Sequence, residues 1–143
     1  MSPRTLLAAL AALTLASPAL AEITVTDAYV RAAMPGAPSA AAFMIINNSG
    51  AEDDRLISVS SSIAEQTELH THMHGADGVM KMVAVEDGFV IPAGGTHALE
   101  RGGDHVMFMG LKQPLENGQS VILDLNFEKA GVQQLTLPVD LKR

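Results

Sequence analysis

From residue 23 onward, apolar and polar positions alternate in short bursts. Val121, Leu123, Leu125 and Phe127 occupy every second position, the period of a strand with one face buried. Eight such runs are predicted as strands: Ile23 to Val30, Ala40 to Asn47, Arg55 to Ser60, Thr67 to His72, Val79 to Val85, Asp104 to Leu111, Ser120 to Phe127 and Val132 to Val139. Turn formers separate them, among them Met34-Pro35-Gly36, Asn48-Ser49-Gly50, Asp77-Gly78, Asp87-Gly88, Pro92-Ala93-Gly94-Gly95, Gly102-Gly103, Asn117-Gly118 and Ala130-Gly131. Runs of this length and spacing predict an all-β sandwich or barrel. No long amphipathic helix is written after residue 21, and Ser61 to Glu68 has room for one short helical turn. Neither a repeat nor a linker-like stretch interrupts residues 22–143, which are read as one domain.

The first 21 residues follow a different pattern. Arg4 supplies a positive charge, Leu6 to Ala16 are nearly all apolar, Ser17-Pro18 breaks the run, and Ala19-Leu20-Ala21 fits a small-x-small cleavage site. The apolar run is too short to span a bilayer as a mature helix. Residues 1–21 are therefore expected to be a signal peptide, cut after Ala21, with no stable membrane insertion afterwards.

Composition then narrows the function. The chain of 143 residues has a formal charge of -7, and the expected mature chain, without Arg4, carries -8. That disfavours nucleic acid and anionic lipid as partners, since both call for a basic face. Aromatic residues are 3% of the chain and Trp is absent, so base stacking is not expected either. Cys is absent, which excludes disulfides, thiol catalysis, Cys-ligated zinc, Fe–S clusters and thiolate copper sites, the blue-copper electron carriers included. Without a disulfide, an exported domain must hold itself together by its core alone. No G-x-S-x-G or Walker motif is present, so the chain is not read as an enzyme.

One window holds most of the remaining chemistry. All five His lie between positions 70 and 105, and five of the eight Met (Met73, Met80, Met82, Met107 and Met109) fall in or just beyond it. Clustered His is a metal-binding signal. Residues i and i+2 of a strand share a face, so His105 and Met107 can converge on one ion, as can Met80 and Met82. His70, His72 and His74 share a face if their strand extends that far. Imidazole with thioether is a soft, uncharged donor set. It suits Cu(I) and serves Mg²⁺ or Ca²⁺ poorly. Neutral donors also leave the site at +1 with Cu(I), which favours a monovalent over a divalent ion. The plainer alternatives stay open at this point. Met107 and Met109 can be core residues, although Val106 and Phe108 already supply one apolar face. His72 and His74 can be solvated turn residues or auxiliary donors. His97 reads as a hydrogen-bonded residue outside the site, Met34 as loop, Met44 as core, and Glu52-Asp53-Asp54 as a solvated loop.

The central window resembles the periplasmic copper chaperones written PCu(A)C, whose signature is His-(Met)-x10-Met-x21-His-x-Met. Here His70 is followed by Thr71, ten residues from His72 to Lys81, then Met82; His105-Val106-Met107 closes the pattern. The words Gly78-Val79-Met80-Lys81-Met82, Ile91-Pro92-Ala93-Gly94-Gly95 and His105 to Leu111 match as well. Thr71 stands where the family has an optional Met. The second gap, Val83 to Asp104, is 22 residues long, and its extra residue is expected in the Glu86-Asp87-Gly88 turn. Next to His105, it would turn that ligand to the other face. The resemblance implies an all-β, cupredoxin-like Greek-key β-sandwich. It also implies His70, Met82, His105 and Met107 as copper ligands. The function it implies is periplasmic Cu(I) binding with delivery, by ligand exchange during a transient encounter, to cytochrome oxidase, especially the dinuclear copper centre of its second subunit, or to another copper-assembly protein. Two other classes remain: a zinc site built on His70, His72 and His105, and a metal-free β-sandwich interaction module.

Overall fold

The computed structural model describes residues 22–143. The leader expected over residues 1–21 lies outside the described residues. Ten strands follow in order: β1 (Ile23–Ala32), β2 (Ser39–Asn48), β3 (Asp54–Ser60), β4 (Ala64–His74), β5 (Met80–Ala84), β6 (Phe89–Ile91), β7 (Thr96–Leu99), β8 (His105–Leu111), β9 (Ser120–Phe127) and β10 (Gly131–Pro138). They form two antiparallel sheets. One has the order β1-β2-β8-β4-β5, with β7 also paired to β2; the other is β10-β9-β3-β6. The chain crosses between the sheets after β2, β3, β5, β6 and β8, the mark of a Greek-key sandwich rather than a meander. No described helix is long and apolar enough to cross a membrane.

All eight predicted runs are strands. Two further strands, β6 and β7, flank the Pro92-Ala93-Gly94-Gly95 turn and are too short to show periodicity. The short turn for which Ser61 to Glu68 has room is confined to Ser62-Ile63 and does not extend into a helix. β4 is extended from Ala64 onward, because the ladder from Ala64↔Leu111 to His70↔His105 outweighs local preference.

The alternation along β8 fixes which face is which. Val106 and Phe108 are fully buried, and Leu69 opposite Val106 joins them. With Leu56, Leu123, Leu125 and Phe127 of the second sheet they form the core between the layers. His105, Met107 and Met109 therefore point to the outer face of the larger sheet, as do Glu68 and His70 beside them.

The expected solvated loop Glu52-Asp53-Asp54 holds for Glu52 and Asp53, which are exposed, and is corrected at Asp54. Asp54 is buried, and its carboxylate accepts hydrogen bonds from the backbone N–H groups of Arg55, Lys129 and Ala130 at 2.7, 2.9 and 3.0 Å. It ties the β9–β10 turn to the start of β3. Glu52 pairs with Lys129, and Asp53 accepts from the Ala93 N–H.

Candidate metal centre

The site grows out of an interruption along one edge of β2. β7 pairs with the C-terminal half of β2, from Met44 to Asn47, and β8 pairs with its N-terminal half, from Ser39 to Ala42. Between them the chain leaves the sheet in a tight turn. The Gly103 N–H donates to the Glu100 carbonyl, and the Glu100 N–H to the Asp104 carbonyl. Gly102 adopts φ +84°, a conformation that glycine takes without steric cost. The chain re-enters the sheet at His105.

That re-entry orients the ring. His105 Nδ1 lies 3.0 Å from the Gly103 carbonyl oxygen. A carbonyl only accepts, so Nδ1 carries the proton and Nε2 keeps a free lone pair. His105 is only 2% exposed, although it belongs to the outer face. Three rings surround it: Phe43, His70 and His72, with centroids at 6.1, 5.8 and 5.3 Å. Burial, as the main cause, holds its pKa below the usual histidine value. The bond to Gly103 works against that shift, while His72 and His70 add to it. The ring is thus kept neutral, the form that binds a metal.

The register brings the other donors alongside. His70 lies directly opposite His105 across β4 and β8, and His72 directly opposite Met82 across β4 and β5. β4 extends to His74, so His70, His72 and His74 do share a face. His72, Met82, His105 and Met107 together line a cavity of about 320 Å³, with Arg31, Phe43, Arg101 and Gly102 among the other walls. Met82 sits on the edge strand β5 and is 53% exposed.

His70 has a different setting from the other three residues of the expected quartet. It does not line the cavity, although its ring lies beside His105. Its Nε2 donates to the Glu68 carboxylate at 3.0 Å, while Nδ1 is buried with no hydrogen-bond partner among the described residues. That vacant nitrogen is available for a metal. His72, read from the sequence as a turn residue or auxiliary donor, is the imidazole of β4 that faces the cavity. Its signal was the i+2 spacing from His70. Met109 does not line the cavity, and His74, Met73 and Met80 are exposed nearer the tip of the β4–β5 hairpin.

His97 lies apart, as its surroundings require. Its Nε2 is 2.8 Å from Asp104, and its ring stacks on Phe89 at 5.1 Å. Among the described residues, no group of three or more His, Cys, Asp or Glu is arranged to hold an ion. A site here takes shape only when the thioethers are counted, and thioethers are soft donors.

Known proteins share this arrangement of strands. A family model described as "LpqE-like: Putative lipoprotein LpqE-like" matches residues 23–139. The chain is 37% identical over 117 residues to "Putative lipoprotein Lxx21020" of Leifsonia xyli subsp. xyli, covering 82% of this chain and 69% of the relative. Among solved structures, the copper-bound PCuAC domain from PmoF2 is similar with a TM-score of 0.69 and 24% identity, over 86% of this chain and 96% of that one. The solution structure of CuI-DR1885 from Deinococcus radiodurans is similar with a TM-score of 0.62 and 32% identity, over 92% of this chain and 87% of that one. The fold in common is the cupredoxin-like β-sandwich.

Proposed function

The chain belongs to the LpqE-like family and has the fold of PCuAC domains, and from that premise we propose that it is an exported Cu(I) chaperone. Cu(I) is its cargo, held by Met82, His105 and Met107 together with an imidazole of β4. His70 is the imidazole that the family's pattern selects, and His72 is the one that shares the cavity with the other three. The observation that carries this reading is a neutral imidazole with its Nε2 free, set in one cavity with two thioethers. The Cu(I) form of the Deinococcus radiodurans relative supports the choice of ion.

The donors are graded by exposure, and this supports transfer rather than storage. His105 is buried and anchored by Gly103, whereas Met82 is more than half exposed on an edge strand. Copper enters and leaves on the Met82 side. An acceptor replaces the exposed thioether first, then Met107, and takes the ion from His105 last. Each step exchanges one soft donor for another, and no free Cu(I) forms. The encounter needs only a small interface. The compartment is the periplasm. The recipient, from the resemblance, is the copper-assembly route of cytochrome oxidase, ending at the dinuclear copper centre of its second subunit.

Competition against a chromogenic Cu(I) chelator tests the site. The double substitution Met82→Ala, Met107→Ala is expected to weaken Cu(I) binding by at least about a hundredfold, each lost thioether counting for roughly a factor of ten or more. The circular dichroism spectrum should be unchanged, since neither side chain belongs to the core. An unchanged affinity would overturn the assignment.

A further inference from the structure

The cavity has two chemically unlike walls. One carries the uncharged soft donors His72, Met82, His105 and Met107; the other carries the guanidinium groups of Arg31 and Arg101. Among the described residues neither arginine belongs to an ion pair, and Arg31 Nε is buried with no hydrogen-bond partner. Of the carboxylates nearby, Glu68 lies on the far side of Met107 and is engaged by His70, Asp104 is engaged by His97 and Asp27 by Arg143, and Glu100 borders Arg101 in a neighbouring cavity. In a chain of net charge -7, two arginines outside any ion pair among the described residues thus border the cavity where a cation is to bind.

Folding does not explain this pairing. The cost falls on Arg31, whose Nε is buried without a partner among the described residues, while Arg101 is exposed; both charges repel Cu(I). An anion seated between the two walls removes both penalties. The floor leaves room for it. Arg31 pairs with Ala41, and Ala41 with Met107, so a small residue separates arginine from thioether across three strands. Their Cα atoms are about 10 Å apart, two strand spacings. Ala33 and Ala41 are the small side chains on that side of the lining. The volume corresponds to roughly ten water molecules, far more than one ion held by side chains requires.

We propose that Arg31 and Arg101 form a carboxylate subsite, and that the cavity takes a small Cu(I) ligand carrying both a soft sulfur donor and a carboxylate. Sulfur reaches the metal from the Met82 side, and the carboxylate accepts paired hydrogen bonds from the guanidinium fork. The metal half of this statement rests on the copper reading above; the carboxylate half rests on the two arginines alone. Such a ligand delivers Cu(I) as a neutral or anionic complex, the charge state this wall attracts. Arg31 and Arg101 then decide which Cu(I) complexes the protein accepts.

The probe is N-acetylmethionine, compared with its uncharged carboxamide, titrated by NMR into the apo and Cu(I)-loaded mature chain. The acid is expected to bind the apo-protein more tightly than the amide, and about tenfold more tightly again once Cu(I) is present. Arg31→Gln with Arg101→Gln should reduce the acid to the affinity of the amide. Arg101→Gln alone, in an exposed turn, should remove part of the preference and serves if the double variant does not fold. Equal binding of acid and amide, or a preference that survives the substitutions, overturns the subsite. An arginine-dependent preference that gains nothing from Cu(I) keeps the subsite and counts against the copper reading. A gain on loading without arginine dependence keeps the copper reading and overturns the subsite.

Discussion

Asp54 and His105 are both 2% exposed, yet their surroundings are completed to different degrees. Three backbone N–H groups converge on the Asp54 carboxylate. Asn48 nearby is saturated too, donating to the Glu52 and Ile91 carbonyls and accepting from the Gly50 N–H. Around His105 the accounts stay open. Among the described residues its Nε2 makes no hydrogen bond, and the buried groups without partners include His70 Nδ1 and Arg31 Nε on the same face. Buried polar groups are normally paired, because leaving one unpaired costs free energy. The first region is finished by the chain itself, and its role is structural. The second is left unfinished by the chain, as the proposed Cu(I) site requires.

That contrast can be broken first on its closed side. Asp54→Ala strands three backbone donors at the start of β3 and in the β9–β10 turn. It should destabilise the domain by about 3 kcal/mol or more, measured by urea denaturation. Cu(I) affinity of the folded fraction should stay as it was, since none of these groups touches the cavity. A loss below about 1 kcal/mol, the scale of an ordinary surface hydrogen bond, would contradict the structural role.

The open side is sharpened by the two imidazoles of β4. If His72 is a donor and His70 acts by holding and screening His105, His72→Ala should lower Cu(I) affinity by about a hundredfold and His70→Ala by about tenfold, the range in which ligands and their supports differ. The reverse order would make the vacant Nδ1 of His70 the ligand. Chelator competition on both variants decides.

A smaller effect concerns acid. Folding lowers the His105 pKa, so the unfolded chain binds a proton more readily near and below the ordinary histidine value of 6.5. Stability from this group is present above that value and is lost as pH falls through it. The apo-protein should be less stable at pH 5 than at pH 7, and His105→Gln should flatten that part of the profile. A wild-type profile that rises toward pH 5 would contradict a buried neutral ring.

The outer face of β8 was legible from sequence because Val106 and Phe108 already claimed the core, which left His105 and Met107 on the other side. Much of the rest depended on register. Nothing in the order of residues says that β4 pairs with β8 so as to set His70 against His105, or that β5 sets Met82 against His72 rather than His70. Arg31 had no visible role for the same reason, as it reaches the site only through the Ala41 pairing. β6 and β7, at three and four residues, are defined by the ladders with β3 and β2 rather than by any pattern of their own. Asp54 looked solvated beside two other acids because two of its three partners lie about seventy-five positions away.

X-ray absorption at the copper edge, on the mature chain loaded with Cu(I), tests the central claim most directly. Sulfur and nitrogen scatterers around one copper, with the sulfur contribution lost in the Met82→Ala, Met107→Ala variant, is the expected result. A shell of nitrogen or oxygen alone would contradict it.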